Sequence, residues 1–222
     1  MPERVRLEQV RAHPLIGALI RASNEHLAAQ GFTEHGQRHA ELVARVSRNV
    51  MTHLDRSQRE AELAEIAGYT HDIGNAIARE AHGQVGAAVL VQVLSELGMD
   101  PYEIAVVAGA VGNHEEEVGQ PVNPVSAALI LADKSDVHKS RVQNPDRARF
   151  DIHDRVNYAV QKSFLRVHQP EHVVQLELEV DTSIIPLMEY FEIFLTRMLM
   201  CRRAAEFLGC RFQLQMNGVR LL

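Results

Sequence analysis

Apolar residues recur at three- and four-residue spacing up to about Asn144-Pro145, and alternate with polar ones only beyond it. Leu15, Leu19, Ala22 and Leu27 predict a first helix over about 15–29, ending before Gly31. His39, Leu42, Val43, Val46 and Val50 form one stripe over 37–54, so His39 is expected to point inward. Ser57 and Glu60 have the spacing of a capping box and open a third helix, along which Leu63, Ala67 and His71 fall four apart. A fourth helix is expected from about Glu80, with His82, Val85 or Gly86, Val89 and Val93 on one side and Gly98 as its stop. Asp100-Pro101 and Asn123-Pro124 each pair a capping side chain with proline at the first helical position. The first of these helices puts Val107, Val111 and His114 on one face. The second stacks Ser126, Leu129 and Asp133.

Beyond Asn144-Pro145 the period changes. Asp151 to Lys162 reads as one more helix. Phe164, Val167, Val173, Val174, Leu176, Leu178 and Val180 then alternate with polar residues about the turn His168-Gln169-Pro170-Glu171, which predicts a hairpin. Leu187, Phe191, Phe194, Met198, Cys201, Ala205 and Leu208 predict a long helix closed by Gly209. Phe212, Leu214 and Met216 alternate again, and Asn217-Gly218 predicts a two-residue hairpin into Val219 to Leu222. The expected fold is mainly α: a helical domain over 1–150, and an α+β subdomain over 151–222 packed on it. That subdomain is expected to be a small antiparallel sheet with one covering helix.

A chain of 222 residues, 46% hydrophobic, can bury one good-sized core, or one core with a small appended domain. Its formal net charge of -6 gives no broad basic field, so extended nucleic acid is not an expected partner. A small anionic ligand could still be held locally. Cys201 and Cys210 make neither a disulfide framework nor a thiolate zinc site. Pro2, Glu3, Arg4 and Arg6 interrupt any apolar run at the start, which points to the cytoplasm. The longest apolar stretch, Ile184 to Leu208, carries Glu189, Glu192, Arg197, Arg202, Arg203 and Glu206, so no membrane span is expected.

Five predicted helices place His39, His71 with Asp72, His82, His114 and Asp133 on inward faces. Singly, each histidine reads as a hydrogen-bonded core residue. Asp133 is different, because an ionised carboxylate ending the apolar run Ala127 to Ala132 is costly to bury unless paired or bound to a cation. Together the six side chains would satisfy one another through shared metal. Nitrogen and carboxylate donors without thiolate suit manganese, iron, cobalt, nickel, zinc or magnesium, and six ligands exceed what one open metal needs. Two divalent cations are therefore expected.

The ordered set His39, His71-Asp72, His82, His114, Asp133 resembles the HD-domain superfamily of metal-dependent phosphohydrolases, in its HDIG form. His39-Ala40-Glu41-Leu42-Val43 is similar to the first-histidine helix, His71-Asp72-Ile73-Gly74 to the namesake motif, and His82 with Gly86 to the next helix. Asn113-His114-Glu115 and Ala132-Asp133 resemble the last two ligand positions, and the likeness runs from about Gly31 to Val142. It implies that His39, His71, Asp72 and Asp133 hold one metal, and that His82 and His114 hold a second, with Asp72 bridging. It also implies hydrolysis of a nucleotide-like phosphomonoester or phosphodiester by a metal-activated water, with Asp72 as a catalytic residue. Lys134, directly after Asp133, is the second expected catalytic residue, since it or one of Arg141, Arg147 and Arg149 would meet the phosphate. Asn75 stands where the common two-metal branch has lysine, which argues against a cyclic-dinucleotide phosphodiesterase.

His35, Asn75 and Arg141 are the expected substrate contacts, Arg141 as part of a basic stretch with Lys134, Lys139, Arg147 and Arg149 that could clamp phosphate. Asp136 is placed either beside a metal ligand or at the surface. Glu115, Glu116 and Glu117 are expected to face solvent or to orient a ligand histidine. His13, His26, His53, His138, His153, His168 and His172 fit no pattern. Two other readings stay open: a diiron oxygenase similar to inositol oxygenase, and a regulatory module with a structural metal site. In the latter the last strand could pair across a homodimer.

Overall fold

The structure, a computed structural model, describes residues 4–116 and 118–221. The helices are α1 (Leu7–Ala12), α2 (Pro14–Ala29), α3 (Gln37–His53), α4 (Gln58–Thr70), α5 (His82–Glu96), α6 (Pro101–Gly112), α7 (Pro124–Lys134), α8 (Ile152–Ala159) and α9 (Leu187–Phe207). Four strands follow α8: β1 (Val160–His168), β2 (Val173–Val180), β3 (Arg211–Met216) and β4 (Val219–Arg220). A 3-10 turn (Ile73–Ala76) separates α4 from α5.

The start signals are made as the side chains dictate. Ser57 Oγ accepts from Glu60 N–H at 3.2 Å while the Glu60 carboxylate accepts from Ser57 N–H at 3.1 Å. Asp100 accepts from the amides of Tyr102 and Glu103, and Asn123 exchanges hydrogen bonds with Ser126. α5 begins at His82, two residues after the expected start, because Ala81 turns the chain at a left-handed φ of 56°. α1 is an addition: six residues are too few to display a period, yet Leu7 and Val10 are buried.

α7, apolar on all sides from Ala127 to Ala132, is buried from Val125 to Lys134 and sits at the centre. α3, α4, α6 and α9 pack around it. α3 and α4 approach closely at Gly68, where a Cβ would lie 2.8 Å from the Ala44 backbone. α9 packs on α7, β2 and β3, so bundle and strands share one apolar core.

The C-terminal part is the expected small sheet with a long helix, with two corrections. Asp151 to Lys162 is not all helix: α8 stops at Ala159 and the chain enters β1 at Val160. Pairing of Val160 with Val180 and of Lys162 with Glu179 captures residues whose local spacing suits either state. The sheet is also not wholly antiparallel. Its order is β1-β2-β3-β4, and β2 pairs with β3 in parallel, Leu176 opposite Leu214. The 21-residue α9 is long enough to cross over and return the chain in the same direction. The β3–β4 hairpin has positive φ at Asn217 (50°) and Gly218 (80°), as a type I′ turn requires. Leu222 lies outside the described residues. No described helix is long and apolar enough to cross a membrane.

Candidate metal centre

Each of the four histidines is fixed by the element that carries it. His39 lies in the first turn of α3 and donates from Nδ1 to Asp136 Oδ2 at 2.7 Å. His71 closes α4 and donates to the Gly68 carbonyl at 2.9 Å. His82 opens α5 and donates to the Arg79 carbonyl at 3.1 Å, and His114, just past α6, donates to the Val111 carbonyl at 2.6 Å. All four partners can only accept, so each Nδ1 carries a proton and each ring turns its Nε2 inward.

Those nitrogens meet in two pairs. His39 and His71 Nε2 are 3.2 Å apart, and His82 and His114 Nε2 are 3.1 Å apart. Two lone pairs at this range repel unless a proton or a cation lies between them. Asp72 stands between the pairs: Oδ2 is 3.2 Å from His71 Nε2 and 3.6 Å from His39 Nε2, while Oδ1 is 3.4 Å from His82 Nε2 and 3.8 Å from His114 Nε2. Asp133 Oδ1 adds to the first pair, 3.2 Å from His39 Nε2 and 3.6 Å from His71 Nε2. Asp72 Oδ2 is buried without a hydrogen-bond partner. An orphaned carboxylate oxygen among inward-turned imidazole Nε2 atoms fits a divalent cation, and His39, His71, Asp72, His82, His114 and Asp133 fall into three overlapping groups that could hold one.

Electrostatics agree with the donor geometry. Burial resists charging His71, but Asp72 and Asp133 outweigh it and push the imidazole up to about 10. Burial likewise opposes ionisation of Asp72 and Asp133, yet His71 and other neighbours of Asp72, and Lys134 with the histidines beside Asp133, hold both well below the usual carboxylate range. Without metal, the cluster takes a proton where a cation would sit.

A polar layer braces the donors. Asp136 is buried and takes Arg38 Nη2 at 2.8 Å besides His39. Burial opposes its charge, but Arg141 and His39 keep it ionised far below its ordinary value. Arg141 donates from Nε and Nη2 to the Glu34 carbonyl and from Nη1 to the Asp136 carbonyl. Lys134 Nζ bonds Asp133 Oδ2 at 2.7 Å and lies 3.7 Å from Glu116, which Arg197 of α9 binds at 2.9 Å. Asn75 donates from its amide to Asp72 Oδ1 at 3.0 Å. His35 packs edge-on against His39, ring centres 5.5 Å apart. Burial and then Arg141 lower its pKa well below the ordinary value, so it is neutral at pH 7.

Glu115 Oε1 accepts from Gly83 N–H and lies 3.4 Å from His82 Nδ1; Glu117 lies outside the described residues. The basic stretch does not stay together. Lys134 and Arg141 turn inward, Lys139 reaches Gln161, Arg147 stacks on Tyr158, and Arg149 is exposed beside Asp146. Sequence reasoning passed over Glu34, Arg38, Arg79 and Arg197. Only the i,i+4 spacing of Glu34 and Arg38 left a trace, since the others reach the site through loop and helix packing.

Fold and site together define a helical protein with a buried histidine–aspartate cluster able to hold divalent metal. A family model for the HD domain matches residues 36–141, from three residues before His39 to Arg141, and so takes in all six donors. The chain carries an HD domain, whose family is generally one of metal-dependent phosphohydrolases; α8, α9 and the sheet lie outside the match. A search of curated proteins found no match.

Proposed function

We propose that the protein is a metal-dependent phosphoric ester hydrolase with a two-cation site bridged by Asp72. The observation that carries this is the division of one carboxylate: Oδ2 lies among His39 and His71, Oδ1 among His82 and His114. A carboxylate serving one cation would not need a separate histidine pair at each oxygen. Divalent metal held there would supply charge to polarise a phosphoryl oxygen and acidify a water.

The chain supplies the rest. The four Nδ1 bonds fix the direction of each Nε2, and the charge on Asp136 makes His39 a stronger donor. Lys134 neutralises the outer oxygen of Asp133 and keeps a further N–H for a phosphoryl oxygen. His35, neutral and beside the cluster, can accept a hydrogen bond from a reacting group. The substrate that suits these groups is a small phosphate ester.

The test loads purified protein separately with manganese, iron, cobalt, nickel, zinc and magnesium and assays a panel of phosphomonoesters and phosphodiesters, aerobically and anaerobically. Turnover of at least one ester is expected, with Asp72→Ala losing both activity and bound metal. No hydrolysis with any metal, together with unchanged metal content in Asp72→Ala, would overturn the proposal. Oxygen-dependent turnover with iron alone would assign the site to oxygen chemistry instead.

A further inference from the structure

The cations around the centre are mostly committed. Arg38 binds Glu34 and Asp136, Arg141 binds the Glu34 and Asp136 carbonyls, Arg197 binds Glu116, and Lys134 binds Asp133. Arg79 differs. It lies in the loop between the 3-10 turn and α5, and among the described residues no carboxylate pairs with it. Its Nη1 donates to Asn75 Oδ1 at 3.0 Å, and its guanidinium carbon sits 5.0 Å from the centre of the Phe32 ring. Nε and Nη2 make no hydrogen bond among the described residues.

This exposed guanidinium is held at two points, an amide and an aromatic face, and still has donors to offer. It is also tied to the centre. Asn75 links it to Asp72 Oδ1 through one side chain, and the Arg79 carbonyl accepts from the ligand-bearing His82. A tethered guanidinium loses less rotamer freedom on meeting an oxyanion than a free one. Its planar fork matches two oxygens of a tetrahedral anion, as an ammonium does not. Asn75 carries no charge itself, but its amide oxygen holds a cation from the next turn. Phe32 and the exposed Ile77 give the same rim an apolar surface for the organic part of a ligand.

We propose that Arg79, positioned by Asn75 and Phe32, forms an anion subsite at the rim of the centre that binds the phosphoryl oxygens of a small phosphorylated ligand. This rests on the hydrolase reading for its role in turnover but not for its binding, so the two are tested apart. Inorganic phosphate is titrated by calorimetry into metal-loaded wild-type protein, Arg79→Gln and Arg79→Lys, with metal content measured on each. In parallel, KM and kcat are measured on the best ester of the panel.

Arg79→Gln should weaken phosphate binding by about tenfold or more, as loss of a charge-assisted pair implies, with metal content kept. The larger part of the loss in kcat/KM should fall on KM, and Arg79→Lys should recover part of the affinity. If wild type hydrolyses no ester but binds phosphate in an Arg79-dependent way, the subsite stands and the hydrolase reading falls. If Arg79→Gln binds phosphate as wild type does while hydrolysis persists, the subsite falls and the hydrolase reading stands. Loss of metal in Arg79→Gln would also overturn it, because Arg79 would then act by holding Asp72 and His82.

Discussion

Replacing Gly74 with alanine tests how the chain sets the spacing between Asp72 and His82. Gly74 lies in the 3-10 turn against the first turn of α5, where a Cβ would sit 1.9 Å from the His82 carbonyl oxygen and 2.7 Å from Gly86 N. Both contacts are backbone, so no side chain can swing aside. Restoring even 3.0 Å at the first contact needs a retreat of about 1.1 Å, the difference between 3.0 and 1.9 Å. His82 Nε2 is now 3.4 Å from Asp72 Oδ1. Moved along that line, the pair would part to about 4.5 Å, the sum of 3.4 and 1.1 Å. Two donors with metal bonds of about 2.1 Å can span at most about 4.2 Å, so His82 and Asp72 could no longer share a cation. Overpacking of this kind costs roughly 1–3 kcal/mol, and at roughly 2–4 °C per kcal/mol the expected fall in Tm is about 2–12 °C. Gly17→Ala on α2 is the control, since its Cβ meets nothing closer than Arg21 Nη1 at 3.8 Å. Metal titration followed by elemental analysis should show Gly74→Ala losing about one equivalent while Gly17→Ala keeps wild-type stoichiometry. Wild-type metal affinity and Tm in Gly74→Ala would refute the spacing argument.

Two further outcomes are expected. Asp136→Asn removes the charge behind His39 and should weaken metal binding about 10–100-fold, the usual effect of losing a carboxylate that orients a ligand histidine; unchanged affinity by competition with a chelating dye would count against it. His71 is raised in metal-free protein from 6.5 to about 10, so its stabilising charge is fully present below pH 6.5 and fades as pH climbs through about 10. At pH 8 a bound cation must therefore displace that proton, and loading metal into weakly buffered protein should release about one proton per cation held at His71. A pH-stat trace without acid release would show His71 already neutral.

Much of this centre was legible from residue type and spacing. His39, His71, His82 and His114 each fall on an apolar helical face, where a polar ring needs a reason to be, and Asp133 ends a run too apolar to carry an unpaired charge. Caps at Ser57, Asp100 and Asn123 marked the helix starts because a capping side chain bonds amides only two or three residues away. These are local relations, and the chain alone fixes them: which residues can donate, which faces turn inward, and where the helices begin. The rest depends on groups far apart in sequence. Asp136 meets His39 across 97 residues and Arg197 meets Glu116 across 81, and no spacing rule reaches that far. β3 runs parallel to β2 because α9 packs across the bundle and sheet, a direction that alternation along a strand cannot encode. Arg79 joins the centre only where the loop before α5 folds back over Phe32 and Asn75. What tertiary structure alone decided is the aim of the two Asp72 oxygens, Oδ2 toward His39 and His71 and Oδ1 toward His82 and His114, since it is set by α3 and α4 on one side and by α5 and the end of α6 on the other.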